Sequence, residues 1–434
     1  MSFKVIKWLY PGMRVKRWVF LLVLGILAIS GGLALLLGWE VLSTVEQLFV
    51  RRLQALFGRQ PAFVPSLAGL FLIAAGIVLV CAGVRQTVRT LLRELAPRDV
   101  DNVADIMFAR RNLRRGPHVV ALGGGTGLST LLRGMKEYTS NITAIVTVAD
   151  DGGSSGVLRA ELGMLPPGDI RNTLVALADT EPLMQQLFQY RFPQGNGLAG
   201  HSFGNLFIAA MHQITGDFEG AVRESSKVLA IRGRVLPSTL DPVVLQAEYT
   251  DGDTITGESR IPQPGKRIRK VSICPADAAP LDEALRAIAA ADIIILGPGS
   301  LYTSVMPNLL VRPITAAIRE SAAIKIYVCN VMTQPGETSG YSAADHLQAI
   351  FDHAGPGLVH YCLANNAPIS EAAAERYRRR GAHPVAVDAG RLQKLGVTPV
   401  VRSLISETDV VRHDPQKLAR AVLEVAGLWR PPVK

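Results

Sequence analysis

Two long uncharged apolar runs near the N-terminus constrain this chain more than any other feature, because a run of that kind has few places to go in water. Residues 18–39 carry 22 positions without a charge, and residues 64–84 form a second such run. At 1.5 Å per residue a helix of that length reaches ~30 Å, the thickness of a bilayer's hydrocarbon core. Five basic and no acidic residues precede the first run (Lys4, Lys7, Arg14, Lys16, Arg17), eight basic residues follow the second between Arg85 and Arg115, and the 24 residues between the runs are only net +1. Under the positive-inside rule both flanks are then cytoplasmic, so residues 1–84 are expected to form a transmembrane helical hairpin with Trp18 and Trp39 at the interfaces. A cleaved signal peptide should have a shorter apolar region, and buried core helices should show polar faces.

The charge balance belongs to the same region. Residues 1–116 hold 16 Lys/Arg against 6 Asp/Glu, which accounts for the whole formal charge of +10 and leaves 30 basic against 30 acidic residues beyond. The basicity therefore reads as membrane topology, and nucleic acid is not an expected partner. Residues 85–116 alternate apolar Val88, Leu91, Leu92 and Leu95 with a later basic set, Arg110, Arg111, Arg114 and Arg115, and read as a helical juxtamembrane linker in contact with anionic lipid or solvent. The four cysteines include no C-x-x-C pair, which suits a reducing, cytoplasmic compartment for residues 117–434.

Within that domain, an apolar strand at 118–122 runs into Gly123, Gly124, Gly125, Thr126 and Gly127 and then a helical pattern with Leu128, Leu131, Leu132 and Met135. Glycines there allow positive φ and close backbone approach, and free N–H groups at the helix start favour a phosphate oxyanion. The run lacks the third glycine of a dinucleotide fingerprint and the G-K-[ST] of a P-loop, which disfavours NAD-dependent redox chemistry. The next strand, 142–148, ends in Asp150, Asp151, Gly152, Gly153, Ser154 and Ser155. Acids at that place hold a ribose, or a divalent ion such as Mg²⁺ with the serines as further oxygen ligands, or form a solvated Asx turn.

Further loops repeat the pattern. Asp169 opens a helix at 170–178, as an N-cap or a ligand group. His201 and Asn205 open the helix at 206–211, and His201 suits a phosphate donor or an acid/base group. A second strand, 292–296, ends in Gly297, Pro298, Gly299 and Ser300, and a third, 324–329, leads into Asn330. Strand, loop and helix recur, so the sheet should be mainly parallel. Residues 217–270 break this rhythm with a hairpin around Asp251-Gly252-Asp253 and read as a small inserted lobe. The expected architecture is thus α/β: a mainly parallel sheet with helices on both faces and an inserted α+β lobe, preceded by two transmembrane helices.

The motifs GGGTGLSTLLRG, ADDGGSSG, PPGDIRN, HSFGN, GRVLPST, GPGSLYTSVMPNLLV, CNVMTQPGETSGYSAADH and VVRHD occur in this order across residues 117–430. Together they resemble the bacterial gluconeogenesis factor family, itself related to the 2-phospho-L-lactate transferases of deazaflavin cofactor synthesis. The resemblance implies a Rossmann-like core, an enclosed site for UDP-sugars such as UDP-N-acetylglucosamine, and a part in carbon use, cell-wall synthesis and cell shape. Carried over by motif, the ligand site comprises Gly124 to Gly127, Asp150, Asp151, Ser154, Ser155, Asp169, His201, Asn205, Gly297, Gly299, Ser300, Asn330 and Arg412. Soluble members of the family lack a transmembrane hairpin, so a multi-pass position in the cell membrane, with the N-terminus and the C-terminal domain cytoplasmic, is expected of this architecture.

Two functions follow as expectations. The first is a ligand-sensing regulator that needs no catalytic residue and no cofactor, with protein partners in wall synthesis and homodimerisation left open. The second is a phosphotransferase of the 2-phospho-L-lactate type, using a nucleotide-activated phospho-acid with Asp150 and Asp151 on Mg²⁺.

Overall fold

The computed structural model describes residues 16–37, 64–95, 108, 111–179, 182–407 and 411–429. Lys4, Lys7, Arg14, Trp39 and the stretch between the apolar runs, from which the topology was inferred, lie outside the described residues. The chain divides into two compact units, Met1–Phe108 and Ala109–Lys434.

The first unit contains helices Lys16–Leu37 and Val64–Leu95. Their segments Arg17–Leu36 and Ser66–Thr90 have a mean hydropathy of 2.7 and are long enough to cross a membrane. Phe20, Leu27, Phe71 and Val78 point outward, the reverse of a soluble core helix, whose apolar face would be covered. The second helix runs on past the expected end of the span to Leu95, because nothing before Pro97 breaks it. The two helices meet backbone to backbone at glycines seven residues apart. A Cβ on Gly25 would stand 2.8 Å from the Gly76 carbonyl oxygen, and one on Gly32 would stand 2.6 Å from that of Gly69. In lipid, where apolar burial gives no drive to helix pairing, such close van der Waals approach through small residues is the main attraction.

In chain order the strands of the second unit are β1 (Val119–Gly123), β2 (Ile142–Val146), β3 (Arg234–Pro237), β4 (Val244–Tyr249), β5 (Thr254–Thr256), β6 (Ile268–Cys274), β7 (Ile293–Leu296), β8 (Ile324–Val328), β9 (Tyr361–Asn365), β10 (Thr398–Arg402), β11 (Ile405–Glu407) and β12 (Val411–His413). Seven of them form one sheet in the order β10-β9-β8-β7-β1-β2-β3, with every neighbouring pair parallel. β1, β2 and β7 are buried along their whole length, as continuous apolar strands covered on both faces must be. The chain builds outward from β1 to β3 on one side and from β7 to β10 on the other. The carboxyl ends of β1 and β7 are therefore the topological switch point, where open α/β sheets bind ligands.

The inserted lobe is narrower at its start than residues 217–270. Helix Phe218–Val228 and strand β3 belong to the main layers, and β3 pairs with β2 as the edge of the large sheet. The antiparallel sheet β5-β4-β6 begins only at Val244 and runs on to Cys274. A four-residue strand carrying Arg234 and Pro237 has too little periodicity to announce itself, whereas the Asp251-Gly252-Asp253 turn between β4 and β5 does.

Because the glycine contacts set the spacing of the two apolar helices, Gly32→Leu should force them apart. Spin labels on the two helices of the full chain in micelles should then give a longer and broader distance distribution. An unchanged distribution would show that the glycines do not set the approach.

Candidate ligand site at the switch point

β1 delivers Gly124 in an extended conformation as the N-cap of helix Gly125–Met135, and Gly125 takes φ +62°, a left-handed value that glycine adopts without strain. Glycine at the cap has no side chain to bond the helix start, which leaves the Thr126 and Gly127 N–H groups at the positive end of the helix dipole. β7 delivers the partner loop, with Gly297 at φ +80°. The two loops touch. A Cβ on Gly127 would lie 2.6 Å from the Pro298 carbonyl oxygen, closer than a side-chain carbon is tolerated.

Between them is a cavity of about 280 Å³ near the lower end of small-molecule pockets. Its walls include Gly124, Gly125, Thr126, Gly127, Gly299, Ser300, Asn330 and Arg412, all expected from the sequence. The Gly299 N–H donates to Asn330 Oδ1 at 3.4 Å, and Ser300 Oγ donates to Gln334 Oε1 at 2.6 Å, so the loops after β7 and β8 are tied together. Tyr377, Gln334 and His413 close the same cavity and were not singled out from sequence. His413 is buried, its Nε2 has no hydrogen-bond partner among the described residues, and burial pulls its pKa down to about 4. It therefore stays neutral, and Arg412 is the one cation among the lining residues, which include no carboxylate.

The remaining expected residues knit the neighbouring loops and do not line this cavity. Ser155 Oγ accepts the Gly168 N–H at 3.1 Å. Ser154 Oγ lies 3.0 Å from His201 Nδ1 and accepts from Asn205 Nδ2 at 3.1 Å, which joins the first turn of helix Gly153–Leu162, after β2, to the start of helix Phe203–Thr215. Asp150 closes an Asx turn on the Gly152 N–H at 2.9 Å. Asp151 accepts the Ser259 N–H at 2.8 Å and fastens the inserted lobe. Asp169 does not cap its own helix, Gly168–Leu177, whose N-cap is Pro167. Its carboxyl reaches across to accept the Gly125 N–H, and a Cβ on Gly124 would stand 2.3 Å from it.

Beside the cavity these joints leave an acidic ledge that the sequence did not disclose. Burial first, and then the Asp150 carboxylate, push Asp169 up to about 7. Burial, followed by Asp150, Asp169 and Glu337, pushes Glu258 of the lobe up to about 8. Glu337 is raised to about 7 by burial, while accepting Thr303 Oγ1–H and the Tyr302 N–H at the start of the π-helical turn Leu301–Val305. Among the described residues no three His, Cys, Asp or Glu side chains are grouped to hold a metal ion, so Asp150 and Asp151 do not form a closed protein site.

The family model described as 2-phospho-L-lactate transferase CofD matches residues 119–405. The gluconeogenesis factor of Bacillus subtilis (strain 168) is 51% identical over 310 residues, 71% of this chain and 98% of that protein. The chain belongs to the gluconeogenesis factor family. A gluconeogenesis factor from Halalkalibacterium halodurans is 56% identical over 308 residues, 71% of this chain and 96% of its own. A family relative from Nostoc sp. (strain PCC 7120) matches 97% of this chain and 92% of itself at 50% identity, so family similarity extends into the apolar helices. Among solved structures, a UPF0052 family member from Bacillus halodurans is 54% identical, covers 71% of this chain and 99% of its own, and superposes with a TM-score of 0.69. The fold and the order of the loops are thus those of the family.

Two outcomes follow from the geometry. Gly127→Val should overpack the loop contact by about 1–3 kcal/mol, lowering the melting temperature by roughly 1.5–5 °C for a domain of this size and narrowing the cavity; an unchanged melting curve would place the loops farther apart. The three raised carboxyls bind protons in the folded state that they release in the unfolded chain above pH ~4–5. Their contribution is therefore full below that range and is lost as pH rises through about 7–8. Stability measured by denaturant titration should fall over that window, and the fall should be shallower in Glu258→Gln.

Proposed function

We propose that this member of the gluconeogenesis factor family binds a nucleotide diphosphate sugar, with UDP-N-acetylglucosamine as its representative, in the switch-point cavity and acts as a ligand-responsive regulator of carbon metabolism, cell-wall synthesis and cell shape. The observation that carries this reading is the composition of the cavity wall: two glycine loops, a helix start with glycine at its cap and Arg412, with no carboxylate among the lining residues. Backbone N–H groups and a guanidinium recognise a diphosphate, and Asn330, Gln334 and Tyr377 supply polar and aromatic contacts for the remainder. The apolar helices are read as a hairpin in the cell membrane that leaves both the N-terminus and the ligand domain in the cytoplasm, close to where wall precursors are assembled. This regulation needs no cofactor; its protein partners act in wall synthesis, and homodimerisation is compatible with it.

A second reading, a phosphotransferase of the 2-phospho-L-lactate type, is favoured by the acidic ledge. Mg²⁺ binds through one or two carboxylates and completes its shell with water and substrate phosphates, so Asp150, Asp151 and Asp169, each of which already accepts one backbone N–H, suit it only with the ligand present. Bound there, the ion would stabilise charge on the phosphates.

Calorimetry with UDP-N-acetylglucosamine separates the outcomes. Arg412→Ala should weaken binding by roughly 10–100-fold, the value of a charge-assisted hydrogen bond, and an unchanged affinity would remove Arg412 from the site. Recovery of intact ligand after incubation with Mg²⁺ supports the regulator; turnover that stops in chelator supports the transferase.

A further inference from the structure

A second cavity, of about 330 Å³, lies between β6, helix Arg312–Glu320 and the end of helix Ala343–Ala354, and shares no lining residue with the first. Its floor is apolar, formed by Val271, Ile273, Leu309 and Leu310. Its rim is cationic. Arg312 and Arg319 stand seven residues apart on one helix face, with Thr315 and Ala316 between them, and Lys270 comes from the edge strand opposite.

The walls are held from within. β6 pairs with β4 on one side only, and on its other edge the Val271 N–H donates to His353 Nε2 at 2.9 Å. His353 Nδ1 in turn donates to the Ala349 carbonyl at 2.7 Å, so both ring nitrogens are occupied and the ring is neutral. One Arg319 nitrogen donates to the Ala354 carbonyl at 2.6 Å.

What the cavity lacks is a counter-charge. No carboxylate lines it, and Lys270, Arg312 and Arg319 make no ion pair among the described residues. The neighbouring carboxylate, Asp352, accepts from Gln348 at 2.7 Å. Three exposed cations line one rim above an apolar floor with no carboxylate among the lining residues, an arrangement that attracts an anion from solution.

We propose that this cavity binds the phosphate group of an organic phosphate, with Lys270, Arg312 and Arg319 around the phosphate and the apolar part of the ligand on Val271, Ile273, Leu309 and Leu310. The ligand is either a soluble phosphorylated metabolite or a phospholipid headgroup with its adjoining chain.

The test is calorimetry on the full chain in micelles, with phenyl phosphate and inorganic phosphate as probes. Phenyl phosphate should bind more tightly than inorganic phosphate, and Lys270→Gln with Arg312→Gln should weaken it at least about 10-fold, two charge-assisted contacts being removed. Both side chains are exposed, and an unchanged melting temperature will show that the fold is kept. Binding should persist in Arg412→Ala and under saturating UDP-N-acetylglucosamine. Full affinity in the double variant, or displacement by the sugar nucleotide, would overturn the proposal by placing the probe elsewhere or in the first cavity. In nanodiscs, loss of phenyl phosphate affinity with phosphatidylglycerol but not phosphatidylcholine assigns the site to a lipid headgroup; equal affinity in both assigns it to a soluble phosphate.

Discussion

The contact of Gly127 with the Pro298 carbonyl is the constraint on which the ligand domain depends. It exists because β1 and β7, far apart in sequence, are neighbours at the centre of a parallel sheet and release their loops side by side. With any side chain at 127 the loops would stand apart, and the wall that Gly124 to Gly127 share with Gly299 and Ser300 would open. The surrounding joints work to the same end. Asp169 braces the first glycine loop, Ser155 braces the helix that carries Asp169, and the Ser154–His201–Asn205 cluster braces the loop after β2.

Charge is separated at short range around these loops. The cavity has Arg412, a helix start with glycine at its cap and a neutral histidine, while the acids collect on the adjoining ledge, where burial raises Asp169 and Glu337 to about 7 and Glu258 to about 8, with neighbouring carboxylates adding to the rise in Asp169 and Glu258. An anion placed in the cavity therefore meets donors and a cation, while the raised acids beside it carry less than their full charge at pH 7. Glu337 has a second task, since its carboxyl receives the N–H of Tyr302 and the hydroxyl of Thr303 and so fixes the turn after β7.

The first unit follows a different logic. In the α/β domain, stability comes from burying strands such as Ile293–Leu296 on both faces, whereas the apolar helices leave Phe20 and Phe71 outward and approach each other through Gly25, Gly32, Gly69 and Gly76. The same residue type serves both units for one reason: only glycine lets backbone meet backbone.

The sequence by itself determined the features that are local. An uncharged run of 22 residues specifies a helix of membrane length, continuous apolar stretches specify buried strands, and glycines next to them specify turns with positive φ. That is why half of the expected site residues, those on the glycine loops together with Asn330 and Arg412, meet at one cavity. Only the tertiary structure decided what depends on convergence. Asp151 meets Ser259 across 108 positions, Glu258 of the lobe meets Asp150 and Asp169, Tyr377 and His413 close the cavity from the far end of the chain, and β3 joins the large sheet despite lying in the supposed lobe. Periodicity and turn chemistry report burial and backbone shape over a few residues. Which carboxylate faces which N–H is set by strand order and loop packing, and those contacts join residues too far apart for any local pattern to record them.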